Sequence, residues 1–163
     1  MDRKEAKLAV KIKLTKVRTL SIDCDVQEDR YNMAKADLEQ VRSIQFGEQI
    51  KSTAMQGKEL IALQLARKDK EELRLIEVRK DLSNAKEELK NYLKNVGDGF
   101  KYRVMFNRYV LLYSYKEIAK KLDVSIPTVK NSLNRSISTL VENELHTNQM
   151  KPNETKRDIN IPK

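Results

Sequence analysis

The chain has 163 residues, of which 39% are hydrophobic and 35% are charged, and only 4 are glycine and 3 are proline. A chain this rich in Lys, Glu and Leu and this poor in helix breakers is typical of long helices, partly coiled coil, which argues against one large core. Cys24 is the only cysteine, so no intrachain disulfide forms and a reducing compartment is expected. The sequence has no apolar run of membrane-spanning length and no signal-peptide core, which predicts a cytoplasmic protein without a membrane partner.

The net charge of +9 is concentrated in one segment of the chain. Residues 97–140 carry 8 basic and 3 acidic side chains, a net of +5. Residues 1–45 (10 basic, 8 acidic) and 46–96 (11 basic, 9 acidic) each carry +2, and residues 141–163 (4 and 4) carry none. An excess confined to a short segment is typical of a face that binds a polyanion, although it would also serve solubility.

Residues 2–45 contain neither glycine nor proline and predict one long helix. Apolar or small side chains recur at heptad spacing and form a seam at Val17, Leu20, Cys24, Tyr31, Ala34, Leu38 and Val41. Gln27 interrupts this seam. The weak helix formers of Ser21–Asp25 leave a break there as the alternative to a continuous helix.

A second long helix is predicted for residues 58–96, after a loop near 46–57 that is bounded by Gly47 and Gly57. Its heptad seam runs through Leu75, Leu82, Leu89 and Val96. The simplest architecture folds this helix back on the first as an antiparallel hairpin, but the same two seams also fit the pairing of two chains. Sequence alone leaves both arrangements open, because a heptad pattern indicates that one face of a helix is buried but does not identify the helix that buries it.

Gly97-Asp98-Gly99 is the strongest break in the chain and marks the predicted domain boundary. We therefore expect a helical stalk over 1–96, a second domain over 97–140, and a flexible polar tail over 141–163. All three parts together predict an all-α protein.

The second domain has the pattern of a helix-turn-helix. Helices are predicted over 100–113 and 115–122, followed by a three-residue turn at Asp123–Ser125 and a helix running to about Leu140. Ser125 suits the cap position of this last helix, and Pro127 is tolerated in its first turn. The spacing of apolar residues leaves an outer face of hydrogen-bonding and cationic side chains, namely Thr128, Lys130, Asn131, Asn134 and Arg135.

Residues 115–140, YKEIAKKLDVSIPTVKNSLNRSISTL, resemble the helix-turn-helix of region 4 in bacterial sigma factors, which recognises a promoter element. The specific matches are EIA at 117–119, Leu122, Val124-Ser125 and TVK at 128–130. One departure is Asp123, which stands where the family usually has glycine at a turn position that favours a left-handed backbone.

The layout of the whole chain also resembles small phage-encoded regulators of the RinA and ArpU type, which place a helical half before a sigma-like C-terminal domain. These resemblances imply a sequence-specific DNA-binding transcriptional regulator of a phage or prophage. They imply a late-gene activator that acts with host RNA polymerase in the bacterial cytoplasm. The stalk would form a homodimer, contact the polymerase, or both.

In this interpretation the last helix lies in the major groove of double-stranded DNA. Side chains of the outer face would lie near base edges, and flanking groups would hold phosphates. The base-edge group is Thr128, Lys130, Asn131 and Asn134, and the phosphate group is Lys116, Lys120, Ser125 and Arg135.

Two other classes of function remain open from sequence. One is a DNA-packaging component similar to a small terminase subunit, and the other is a helical regulator that binds protein without reading DNA. An enzyme is not predicted, because the chain has no P-loop, HExxH, GxSxG, CxxC or Rossmann glycine pattern. One Cys and one His do not build an ordinary zinc site, and no metal or cofactor is predicted.

Overall fold

The computed structural model describes residues 2–47, 54–97 and 99–149. Within these ranges all regular structure is helical, which confirms the predicted all-α class. The elements are α1 (Arg3–Gly47), α2 (Ala54–Leu93), a 3-10 turn (Lys94–Val96), α3 (Gly99–Tyr109), α4 (Tyr115–Leu122) and α5 (Ile126–Gln149).

The described residues form two compact units. The hairpin unit consists of residues 15–92, and the terminal unit combines residues 2–14 with residues 93–149. This division differs from the expected domains 1–96 and 97–140. The reason is that Ala6, Val10 and Leu14, at the start of α1, are buried within the terminal unit.

In the hairpin unit, α1 and α2 run antiparallel within one chain. Ion pairs join Lys16 to Glu88 at 2.8 Å, Glu28 to Arg79 at 3.2 Å and Asp37 to Arg67 at 2.8 Å. Positions on α2 thus fall as positions on α1 rise, which is the antiparallel order. All six side chains are exposed or half-exposed. These ion pairs therefore specify which positions of the two helices face each other, but they add little to the stability of the hairpin.

The hairpin seam follows the predicted heptads as far as Leu89, and α1 continues through Ser21–Asp25 without a break. Val96, predicted at the end of the second seam, instead lies in the 3-10 turn and is buried in the terminal unit, because α2 ends at Leu93 rather than at 96. Burial in the seam is nearly complete at Val17, Cys24, Ala34, Leu38, Leu75, Ala85 and Leu89. Gln27 does not interrupt the packing. Its amide is buried and donates to the Glu71 side chain at 2.7 Å and to the Glu71 carbonyl at 3.3 Å. This polar pair satisfies both partners at one register only, since a shifted register would leave a buried amide unpaired.

The second long helix begins earlier than predicted. α2 starts at Ala54 and passes through Gly57, which is tolerated because a helical glycine costs only about 1 kcal/mol. Of the predicted loop near 46–57, residues 48–53 lie outside the described residues. In the first turns of α2, Leu60 and Leu63 are exposed and Ile61 is half-buried.

In the terminal unit, α3, α4 and α5 pack around one apolar core, and the 3-10 turn packs on α3 and α5. The largest fully buried side chains there are Leu93, Met105, Ile118, Leu140, Val10, Val104 and Val129. Ala119 is buried where α4 meets α5, and the small side chains of Ser132 and Ser136 are buried on the inner face of α5. Small residues at these positions allow two helices to approach closely.

The last helix is longer than predicted, which corrects the expected tail over 141–163 for its first nine positions. α5 continues to Gln149 because Val141 is buried and Asn143 donates to the Asn95 carbonyl at 3.1 Å. Glu144 also forms an ion pair with Lys13 of α1. The remaining tail, residues 150–163, lies outside the described residues.

Helix α3 is shorter than predicted and ends at Tyr109 rather than near residue 113. The following turn contains Leu112 with φ of 61°, a left-handed conformation that costs a non-glycine residue about 1–2 kcal/mol. The turn is held by backbone hydrogen bonds from Leu111 to Phe106 at 3.1 Å and from Tyr113 to Asn107 at 3.0 Å.

Candidate nucleic-acid interface

Helix α4 begins with a complete capping box. The Ser114 hydroxyl accepts from the Glu117 amide at 3.3 Å, and the Glu117 carboxylate accepts from the Ser114 amide at 2.7 Å. These reciprocal bonds satisfy two amides that the helix start leaves without partners. The hydrogen bonds from the Ser114 side chain and then from its backbone lower the pKa of the Glu117 carboxyl.

The turn between α4 and α5 has the left-handed residue that the sequence predicted. Asp123 has φ of 52° and ψ of 52°, and the Val124 amide donates back to the Ala119 carbonyl at 3.0 Å. This bond closes a Schellman-type helix end, which normally contains glycine. Aspartate tolerates the left-handed region better than most residues, so the departure from the sigma family pattern preserves the turn.

Helix α5 begins at Ile126, directly after its cap. The Ser125 hydroxyl accepts from the Thr128 amide at 3.3 Å and contacts the Thr128 hydroxyl at 2.8 Å. This confirms Ser125 as the cap residue. Pro127 stands in the first turn, where no amide is required.

All eight residues predicted to contact DNA have exposed side chains. On α5 the buried positions Val129, Ser132, Leu133, Ser136 and Leu140 share one face. By helical periodicity, Asn131 and Asn134 lie in the middle of the opposite face. Lys116 and Lys120 of α4 are one helical turn apart, on the side of α4 away from its buried residues.

The eight residues differ in whether they have partners inside the protein. The hydroxyls of Ser125 and Thr128 bond to each other, and the Lys130 ammonium lies over the Tyr115 ring, 5.7 Å from its centroid. Within the described residues, the side chains of Asn131 and Asn134 take part in no hydrogen bond. These two amides are therefore free to bond with a ligand.

The structure adds two residues that sequence reasoning did not assign to the interface. The Arg108 guanidinium carbon lies over the Tyr115 ring, 4.6 Å from its centroid, and Arg108 also donates to the Tyr113 carbonyl at 2.9 Å. Tyr115 therefore contacts two cations, Arg108 and Lys130, and brings positive charge from α3 and α5 to the start of α4. Sequence gives no signal for this cluster, since it depends on the turn at Leu112.

Within the described ranges, no group of three or more His, Cys, Asp or Glu residues is placed to hold a metal ion. None of the helices described has the length and apolarity needed to cross a membrane.

Residues 101–140 match the family model described as Sigma-70, region 4. The match covers 40 of the 163 residues and contains α4, the turn and most of α5. No curated protein and no solved structure matches the chain. The family match agrees with the sequence resemblance and indicates a DNA-binding segment of the kind that acts in transcription with RNA polymerase.

Proposed function

We propose that the protein is a sequence-specific regulator of transcription that reads double-stranded DNA with the exposed face of α5. The observation that carries this proposal is the pair of exposed, unpaired amides of Asn131 and Asn134 at the centre of that face. Asparagine amides bond adenine bidentately in the major groove. The preceding helix α4 would lie across the sugar-phosphate backbone of the DNA, with Lys116 and Lys120 near phosphates.

The roles of the remaining residues follow from their neighbours in the protein. Thr128 and Lys130 are exposed on the two flanks of this face and would approach base edges, while Arg135 would hold a phosphate. Ser125 is already the cap of α5. It would contact DNA only through a hydroxyl shared with Thr128.

We further propose the specific role of a phage or prophage late-gene activator that recruits host RNA polymerase, in the bacterial cytoplasm. What supports this is the joining of a helical hairpin to a segment that matches sigma region 4. The hairpin unit would supply the contact with a second copy, with polymerase, or with both. Transcription from a promoter that carries the selected DNA site should rise when the protein is added to host polymerase. No rise in such an assay would contradict the activator role.

The first prediction separates base reading from simple attraction. Asn131→Ala should weaken binding to the selected site by about 1–3 kcal/mol and leave random DNA nearly unaffected. Lys116→Ala should weaken all sequences alike and reduce the slope of log affinity against log salt by about 1. Salt titrations on selected and scrambled duplexes measure both effects.

The two substitutions are matched because both residues are exposed and neither change removes core packing. An equal, sequence-independent loss for both variants would contradict base reading by α5, and the helix would then act only as a basic surface. Absence of binding to any duplex at low salt would contradict DNA binding altogether.

The second prediction concerns the Tyr115 cluster. Tyr115→Leu removes the aromatic face that holds Arg108 and Lys130, and DNA affinity should fall by about 0.5–1 kcal/mol, the usual strength of an exposed cation–π contact. Tyr115→Phe keeps the ring and should bind as the unmodified protein does. Fluorescence anisotropy with labelled duplex compares the three proteins. Equal affinity of the leucine and phenylalanine variants would mean that the ring does not position these cations.

A further inference from the structure

Helix α1 carries a second apolar stripe, separate from the hairpin seam. Within the hairpin unit it consists of Thr15, Thr19, Ile22, Val26 and Met33, which we call the outer stripe. Ile22, Val26 and Met33 are 54%, 47% and 62% exposed. Together with Asp29, which occupies the position between Val26 and Met33, these residues have the alternating spacing of four and three that is typical of a heptad seam.

The outer stripe lies on the side of α1 that faces away from α2, since the seam residues Val17 and Cys24 are buried on the opposite side. In the sequence, the same spacing extends back to Ile12 and Leu8, which are also exposed. Within residues 2–43, the part of α1 whose side chains are described, the exposed large hydrophobic residues are Leu8, Ile12, Ile22, Val26 and Met33, and all of them have this spacing. Outward heptad positions of an isolated hairpin are normally polar, so this regular pattern indicates a face that is covered by another helix.

The charges beside the outer stripe identify a partner of matching chemistry. The flanking side chains are basic at Lys16 and Arg18 and acidic one heptad later, at Asp23 and Asp25. Two copies of α1 that meet antiparallel, with Thr19 of each facing Ile22 of the other, bring both of these basic side chains against an acidic one. Arg18 then lies opposite Asp25 of the second copy, and Lys16, which also pairs with Glu88 of α2, lies opposite Asp23.

A parallel, in-register arrangement is disfavoured by a single residue. Asp29 occupies a stripe position between Val26 and Met33. Parallel pairing would place Asp29 directly against Asp29 of the second copy, and two like charges inside an apolar interface repel. Antiparallel pairing separates these two carboxylates.

We propose that the outer stripe is the self-association surface of the protein and that two copies pair antiparallel through it, with Arg18 opposite Asp25. This inference deepens the homodimer put forward under the proposed function by assigning its surface and register. The proposed dimer does not require that the protein binds DNA.

The test is sedimentation equilibrium of the full chain without DNA, from micromolar to submillimolar concentration. The unmodified protein should form dimers. Ile22→Glu should raise the dissociation constant by about tenfold or more, because it places a charge in the apolar interface. Leu73→Glu, at a leucine of α2 that is 68% exposed and outside the stripe, is the matched control and should dimerise normally. Circular dichroism checks that both variants remain helical.

Charge exchange tests the register. Arg18→Asp should raise the dissociation constant by about fivefold, since it creates two like-charge contacts in the symmetric dimer. Adding Asp25→Arg to the same chain should restore the original value. A monomeric unmodified protein, or an unchanged dimer in Ile22→Glu, overturns the proposed surface, and failure of the double exchange to restore dimerisation overturns the antiparallel register. Because no DNA is present, none of these results depends on whether the protein binds DNA.

Discussion

Replacement of Val10 by aspartate is expected to unfold the terminal unit, although Val10 lies far along the sequence from the segment that matches sigma region 4. The Val10 side chain is 1% exposed in the core of that unit, together with Ala6 and Leu14. A carboxylate placed there loses its hydration without gaining a partner. We expect the free energy of unfolding of the terminal unit to fall by about 3 kcal/mol or more, which is a large part of the usual stability of a small domain.

Hydrogen exchange of peptides from residues 101–140 measures this loss directly, and Lys7→Asp is the matched control because Lys7 is exposed on the same helix. Protection in 101–140 should collapse in Val10→Asp and persist in Lys7→Asp. A fragment of residues 97–140 should fail to fold for the same reason, since it lacks Val10, Leu93 and Val96. Unchanged protection in Val10→Asp would mean that residues 2–14 do not contribute to this core.

Leu89→Asp is expected to have an effect of similar size on the hairpin unit. Leu89 is 4% exposed in the seam, next to the ion pair of Lys16 and Glu88. The new carboxylate either stays in the apolar seam, at a cost of several kcal/mol, or separates the two helices there. In both cases we expect the free energy of unfolding of the hairpin unit to fall by about 3 kcal/mol or more. The loss should appear as faster exchange in peptides from residues 15–92 and as a lower melting temperature.

Two further leucines of α2 make this a graded series. Leu82 is half-buried and Leu73 is 68% exposed. Leu82→Asp should therefore destabilise the unit less than Leu89→Asp, and Leu73→Asp should have almost no effect, because the cost of a charge follows its burial. Equal effects at the three positions would show that the seam assignment is wrong.

The two predictions have a common consequence for function. The proposed binding of DNA by the exposed face of α5 would require that the terminal unit stays folded, and that unit depends on helix α1 as well as on residues 93–149. A loss of DNA binding in Val10→Asp would thus reflect unfolding. The same loss in Asn131→Ala, at an exposed position, would reflect a missing contact.

The sequence by itself determined the features that depend on neighbouring residues. The heptads predicted the seam side of α1 and α2, since an apolar stripe at this spacing identifies its own face. Ser125 predicted the start of α5, and the family pattern predicted a left-handed residue at Asp123, because caps and turns are set by side chains a few residues apart. The spacing of apolar residues also predicted which side chains lie on the outer face of α5, and all of these side chains are exposed.

Only the tertiary structure decided which segments share a core. A buried stripe does not specify what covers it, so the sequence left open the antiparallel pairing within one chain and gave no sign that residues 2–14 join the terminal unit. The extension of α5 to Gln149 depends on Asn95 and Lys13, which are distant in sequence. The Arg108 and Tyr115 contact depends on the strained turn at Leu112. Such contacts form between segments distant along the chain or across a turn of unusual conformation, and no local periodicity encodes either of them.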